Sequence, residues 1–422
     1  MMKTVVETLL HSAPMQEAFQ YLETDDRHTL EQQLELVQIP AYSNQEEERA
    51  KRFQKMIEEI GYETEMDEVG NVYTRIPGSG EGPTVYLSAH MDTVFPPETP
   101  LELTWDGNKI CVPGIADDTR GMAEVLTMLR TMKKVGLKPV GDLIIGGNVG
   151  EEALGNLRGV KHFFGKHADE IDGFVSLDAV GCLICYGGTG SHRYKVTFRG
   201  PGGHSYNAFG VVNPIHAMGR AISYLSEVRT PKDPKTTFSV GVVEGGTSVN
   251  AIASQCSMQV DMRADGVAEL EELDAKFREC LKRAVEDENA RWVQERTYEQ
   301  SGIVQFDREA RIELEITPIG DRPVGSQPED CEIVNIWAGA YRLMGEEPVY
   351  MSNGSTDANV PISLGIPAVC ICGGGTAGLN HSVKEWFDPT DAYKGPQRNL
   401  LALFAMVGLT DVCGPCLGKR DR

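Results

Sequence analysis

The 422-residue chain is 41% hydrophobic and 24% charged, the balance of an ordinary globular protein, and its length predicts two domains rather than one core. Its formal net charge of −22 would repel phosphate backbones, which excludes nucleic acid as a natural partner. No run approaches the ~20 apolar residues of a membrane helix. The start, MMKTVVETLLHSAPMQEAF, breaks its short apolar patch at Glu7 and lacks a signal-peptide core, so a cytoplasmic protein with no membrane partner is expected.

Residues 43–60, SNQEEERAKRFQKMIEEI, read as a helix opened by a Ser43/Glu46 capping box and stopped at Gly61. Strand patterns follow at 62–76 and 84–90, then a helix at about 118–135 ended by Gly136, a strand at 142–149 (DLIIGGNV), a helix near 155–165 and a strand at 173–180 (GFVSLDAV). Apolar strands alternating with helices predict an α/β domain with a mixed, mostly parallel sheet flanked by helices. Near 190 the texture changes. RYKVTFRG (193–200) alternates polar and apolar residues, as a half-exposed strand does. After it come the helix-like NPIHAMGRAISYLSEV, the strands TFSVGVVEGG and SQCSMQVDMRA, a charged helix at about 266–287 and the strand IELEITPIG (312–320). The first pattern then resumes, with a helix near 329–344, apolar IPAVCICGG (366–374) and a last helix near 391–407. The expected organisation is a larger domain of residues 1–190 and 323–422, interrupted by a smaller α+β domain of residues 191–322.

Ten cysteines are present. Cys182/Cys185 and Cys413/Cys416 form two C-x-x-C pairs separated by more than two hundred residues. The first sits on a strand pattern, whose side chains alternate, and the second in a polar tail. Buried or tail thiols are therefore expected rather than a zinc site.

Acids and histidines collect at the strand ends. His90 and Asp92 follow TVYLSA, Glu151 and Glu152 follow DLIIGGNVG, Asp178 closes GFVSL, and His381 follows AVCICGGGTAGLN. Asp117 and Asp118 (GIADDTRG) precede a helix. In open α/β sheets, sites form beyond the carboxyl ends of the strands. Two imidazoles with several carboxylates and no thiolate suit zinc or a similar divalent ion. One carboxylate can bridge two ions, and another can take the proton of a water they acidify. Neighbouring side chains of extended backbone point apart, so one of Glu151 and Glu152 can bind metal while the other faces the water. Each feature has an ordinary explanation when taken alone: acid pairs on a surface, a helix cap at Asp117 or Asp118, a turn residue at Asp178, a surface histidine at 381. Their joint placement on one rim argues for a site. The histidines at 11, 28, 162, 167, 192 and 216 lack that context and read as structural.

The motifs SAHMDTVF, GIADDTRGMA, NVGEEALG, SLDAV and LNHS resemble, in order and approximate spacing, those of the co-catalytic zinc peptidase family that includes carboxypeptidase G, peptidase T, aminoacylase and acetylornithine deacetylase. The likeness runs from about residue 30 to 405, and GPGGHSYNAFG resembles that family's lid motif. It implies two divalent ions, Zn2+ first, with Co2+ or Mn2+ as alternatives. His90 and Asp178 would bind one, Glu152 and His381 the other, and Asp117 would bridge them. Asp117 is preferred to Asp118 as the first acid of the pair, six residues before the small residue Ala123. A lysine often follows the pair in the family where this chain has Thr119–Arg120, which leaves that choice open. A cis peptide after the bridging aspartate is expected. Asp92 would hold His90 by a hydrogen bond without touching metal, and Glu151 would be the general base. His204 would stabilise the oxyanion, reaching from the partner subunit of a homodimer joined through the inserted domain. Asn250, Arg263, Gly354 and Ser355 would contact substrate, an arginine fork being suited to a carboxylate. The implied function is hydrolysis of amide bonds in small peptides, of the di-/tripeptidase or carboxypeptidase kind. Removal of the acyl group from N-acyl amino acids and a metal-free binding protein on the same fold are the alternatives. No G-x-S-x-G motif occurs, which disfavours a serine hydrolase.

Overall fold

A computed structural model describes residues 2–291 and 309–421. The chain divides into two compact units, Met1–Gly188 with Gly325–Arg422, and Thr189–Val324. The first is built on an eight-stranded sheet in the order Glu65–Met66, Val72–Ile76, Asp142–Asn148, Thr84–His90, Gly173–Val180, Ala368–Gly373, Leu183–Cys185, Val349–Met351. The strands from Asp142–Asn148 to Ala368–Gly373 in this order run parallel. They read as near-continuous apolar runs because both of their faces are covered.

The strand Thr84–His90 lies inside this parallel block. Val85, Leu87 and Ala89 point into a core shared with Phe53, Val125, Trp337 and Leu403, which belong to the helices Glu47–Ile60, Thr119–Val135, Glu332–Leu343 and Lys394–Val407. Tyr86 points into the opposite core, against Phe163 and Phe164 of helix Arg158–His167. With a side-chain period of two, Ser88 and His90 share the Tyr86 face.

Two features depart from the sequence reading. The helix expected from residue 43 begins at Glu47, with Glu46 at its N-cap and no side-chain cap bond, although Gly61 ends it in the left-handed region at φ 98°. Two N-terminal helices, Met2–Leu10 and Ala13–Val37, and a small sheet of Thr104–Asp106, Lys109–Cys111, Thr376–Gly378 and Trp386–Asp388 had no counterpart in it.

The unit Thr189–Val324 holds a four-stranded antiparallel sheet in the order Thr236–Gly245, Gln255–Ala264, Gly190–Arg199, Glu313–Arg322. Helices Pro214–Ser226 and Val267–Ala290 cover one face through Ala217, Leu225 and Phe277, packed on Val196, Val260 and Met262. One buried face explains the polar–apolar alternation of these strands. No described helix is long and apolar enough to cross a membrane.

Candidate metal centre

His90 closes its strand, Asp178 lies near the end of Gly173–Val180, Glu152 stands on the segment that leaves Asp142–Asn148, and His381 follows the short strand Thr376–Gly378. Asp117 comes from the loop ahead of helix Thr119–Val135. The Asp117 carboxylate stands between the two imidazoles: Oδ1 is 3.0 Å from His90 Nε2 and Oδ2 is 3.0 Å from His381 Nε2. Glu152 Oε1 lies 2.8 Å from His381 Nε2, and Asp178 Oδ1 lies 3.8 Å from His90 Nε2. Two half-sites result, His90 with Asp178 and His381 with Glu152, and they share Asp117. The His381 side chain is 54% exposed, so the centre opens to solvent on that side.

Asp118 turns away. Its carboxylate accepts the Gly121 N–H at 3.0 Å, capping the helix, and the His90 N–H at 3.1 Å. Of the pair, Asp117 is the residue that faces the histidines, and the peptide bond between the two is cis.

Burial disfavours a charged His90, but the carboxylates of Asp117, Asp178 and Asp92 outweigh it and raise its pKa well above the usual value. Hydrogen bonds to Asp117 and Glu152 push His381 up to about 11. Burial would raise Asp117, yet the bonds to His381 and His90 hold it well below the usual carboxylate range. The pocket is arranged to hold positive charge. Its donors suit a pair of divalent ions on chemical grounds. All are nitrogen or oxygen, and His90 Nδ1 lies 3.1 Å from the Asp92 backbone carbonyl, so Nδ1 carries a proton and Nε2 is the nitrogen an ion would take. Among the described residues, ligand atoms of His90, Asp117 and Glu152 all lie within 4.8 Å of one another.

Asp92 meets the His90 ring twice: its backbone carbonyl lies 3.1 Å from Nδ1 and its carboxylate Oδ1 lies 3.5 Å from the same nitrogen. The carboxylate also accepts the N–H groups of Glu151 and Glu152, each at 2.9 Å, and the Ser43 hydroxyl at 2.6 Å. Ser43, read as a helix cap, thus belongs to the site. Glu152 has extended backbone (φ −79°, ψ 152°), so the Glu151 and Glu152 side chains diverge, and Glu151 is itself buried.

Three supporting residues carried no signal in the sequence. Glu385 accepts the N–H groups of Gly114, Ala116 and Asp117 at 2.9, 2.8 and 3.2 Å, and burial pushes its carboxyl up to about 7. Arg49, fully buried, donates to the carbonyls of Ile39 at 2.7 Å and Met91 at 3.1 Å, fixing the backbone just beyond His90. Asp357, which burial pushes up to about 7, accepts from Asn148 at 2.6 Å; the Ser88 hydroxyl donates to Asn148 Oδ1 at 2.6 Å, and the Tyr86 hydroxyl lies 3.2 Å from that of Ser88. Because a glutamine at 385 has a single acceptor oxygen for three N–H groups, Glu385→Gln is expected to weaken metal binding about 10- to 100-fold. Chelator competition measures this, and an unchanged affinity would show that the Asp117 loop needs no such clamp.

Within Thr189–Val324, His204 pairs with Ala251 in a short ladder, and the Ser205 N–H donates to the Asn250 carbonyl at 2.9 Å, so His204 and Asn250 adjoin. His204 is exposed, and its Nδ1 accepts the Tyr206 N–H at 3.3 Å. Arg263 is not with them. It lies at the far end of Gln255–Ala264, opposite Thr237, and donates to Asp261 at 2.8 Å. In the larger unit Gly354 is buried, and a Cβ there would sit 2.4 Å from Cys185 Sγ, so packing alone requires glycine; Ser355 beside it is half-buried.

A largely parallel sheet with paired histidines and carboxylates at its strand ends defines an α/β metallohydrolase. The chain belongs to peptidase family M20/M25/M40, whose family model matches residues 86–402. YqjE of Bacillus subtilis strain 168, itself uncharacterized, is 24% identical over 366 residues, 82% of this chain and 90% of that one. Carboxypeptidase G2 of Pseudomonas sp. strain RS-16 is 27% identical over 222 residues; this match covers 51% of each chain, about half of that relative's length. The crystal structure of aminopeptidase PepT from Bacillus cereus ATCC 10987 superposes with a TM-score of 0.68 at 21% identity, covering 89% of this chain and 97% of that one.

Proposed function

We propose that this chain hydrolyses amide bonds in small peptides, as a di-/tripeptidase or carboxypeptidase, with Glu151 as general base. The observation that carries the reading is the Asp117 carboxylate, each of whose oxygens reaches a different imidazole. When bound, two divalent ions, Zn2+ foremost with Co2+ or Mn2+ as alternatives, polarise the scissile carbonyl and acidify an attacking water. His90 and Asp178 would hold one, Glu152 and His381 the other, with Asp117 between. Glu151 takes the proton of the attacking water and returns it to the leaving amine. Asp92 bonds the backbone N–H groups of both glutamates, so base and ligand keep one spacing. Substrate enters on the exposed His381 side. His204 stabilises the oxyanion, Asn250 and Arg263 bind substrate, the latter through a carboxylate, and Gly354 and Ser355 line the pocket.

The inserted unit supports a homodimer. Seven residues of strand separate Arg263 from Cys256, next to the loop end that carries His204 and Asn250, a span of about 23 Å at ~3.3 Å per residue. A dipeptide covers only about 7 Å. One copy of this unit therefore does not bring Arg263 to the same small substrate as His204 and Asn250, and on this reading a second copy would supply His204 together with the adjoining Asn250. Exposed Tyr206, Phe209, Val243 and Val249 offer apolar surface for such a pairing to cover.

The test is a substrate panel. Protein loaded in turn with Zn2+, Co2+ or Mn2+ is given di- and tripeptides with free or blocked termini, beside N-acyl amino acids. Release of amino acids from the peptides is expected. Activity on acyl amino acids alone would move the reading to a deacylase. No metal uptake and no hydrolysis would leave a metal-free binding protein.

A further inference from the structure

Gln33 is out of place in the core. It lies near the end of helix Ala13–Val37 and is fully buried, on the side where Leu34 and Val37 meet an apolar cluster with Ile110, Ile115 and Phe387. Its Nε2 donates to the Ile115 carbonyl at 2.7 Å, while its Oε1 has no partner among the described residues. An unmet buried polar atom destabilises a fold. The Thr119 hydroxyl lies 2.9 Å from the Ile115 carbonyl but 2.7 Å from that of Gly114, so its single proton is shared between them. Gln33 thus meets one backbone carbonyl and leaves one of its own buried atoms unmet, so stability alone does not explain the glutamine.

The position of Ile115 does. It stands two residues ahead of Asp117, in the loop whose N–H groups Glu385 gathers from the other side. Gln33 takes hold of the same loop by a carbonyl. The helix that carries Gln33 is pinned along helix Thr119–Val135: Arg130 donates to Asp25 at 2.8 and 2.5 Å and to the Thr29 hydroxyl at 3.2 Å, and the Thr127 hydroxyl donates to Asp25 at 3.0 Å. Gln397 adds a bond to the Phe19 carbonyl at 3.0 Å. All of this helix lies ahead of residues 86–402, the part the family model matches.

We infer that Gln33 is a positioning residue for Asp117, and that helix Ala13–Val37 is a strut that sets the depth of the 114–117 loop so that both Asp117 oxygens meet their imidazoles. The inference rests on the reading of His90, Asp117, Glu152, Asp178 and His381 as metal ligands. Gln33→Met tests it, with Gln33→Leu beside it to separate loss of the amide from any peculiarity of methionine. Zinc affinity is measured on the metal-free full chain by competition with a chromogenic chelator, the Tm of the metal-free protein by thermal denaturation, and kcat and KM at saturating zinc. Zinc affinity is expected to fall about tenfold, with kcat lowered severalfold at unchanged KM and a metal-free Tm equal to or above that of the parent. Unchanged zinc affinity overturns the inference, whatever kcat does. So does a lower affinity accompanied by a lower metal-free Tm, because the side chain would then serve folding alone. A parent chain that binds no zinc removes the metal reading itself, whereas a parent that binds it as tightly as the variants removes only the role of Gln33.

Discussion

Glu151→Gln should keep the metal content of the parent and lose about 10³-fold in kcat, with KM little changed, as expected when a general base is removed. Glutamine preserves the volume and leaves intact the backbone N–H that Asp92 accepts at 2.9 Å. What it cannot do is take a proton. The neighbouring substitution, Glu152→Gln, should behave differently, because the Glu152 carboxylate stands 2.8 Å from His381 Nε2 on the ligand side. There metal content should fall first and activity with it. Elemental analysis of both variants beside steady-state rates on a peptide substrate separates the two roles. A Glu151→Gln protein with the parent's kcat would sink the base assignment, and equal metal loss in both variants would mean that the divergence of the two side chains is not a division of labour.

The parts of the site that were legible in the sequence are those set by local pattern. Thr84–His90 and Gly173–Val180 are buried on both faces, so they read as apolar runs, and a histidine or aspartate at the end of such a run stands out. What failed to show depended on partners far along the chain. Ser43 and Glu46 have the spacing of a capping box, yet the Ser43 hydroxyl is taken by Asp92, 49 residues away. Glu385 binds amides 268 to 271 residues distant, and no local rule marks it. Helix Ala13–Val37 escaped notice for a related reason. Its buried stripe runs Met15, Ala18, Leu22, Thr29, Gln33, Leu36, and the polar members break the apolar periodicity by which a helix is read. Thr29 and Gln33 are there because they bond Arg130 and Ile115. Residues such as these, which break the pattern of their own element, are where a sequence encodes support for a site rather than for a fold.

The adjacent aspartates allow a sharp comparison. Asp117→Asn should lose its metal and more than about 10²-fold in kcat/KM, while Asp118→Asn should keep both within severalfold and lose stability. In Asp117 each oxygen serves a different imidazole, at 3.0 Å on either side. An amide has one acceptor oxygen, so whichever way it turns, its NH2 group confronts one of the two half-sites with donors where a ligand is needed. Asp118 has a different task. Its carboxylate is fully buried, burial raises its pKa well above the usual value, and it accepts the N–H groups of Gly121 and His90. Asparagine caps a helix about as well as aspartate, so the cost falls on the His90 N–H, at roughly 1–2 kcal/mol for a buried donor left without its acceptor. That loss should appear as a lower Tm in the metal-free protein. The histidine ring would keep its place through Nδ1 and the Asp92 carbonyl. Metal content, Tm and kcat/KM measured on the two variants side by side decide the matter. If Asp118→Asn loses the metal and Asp117→Asn keeps it, the bridging residue has been assigned to the wrong member of the pair, and with it the pairing of His90 and His381 across a single carboxylate.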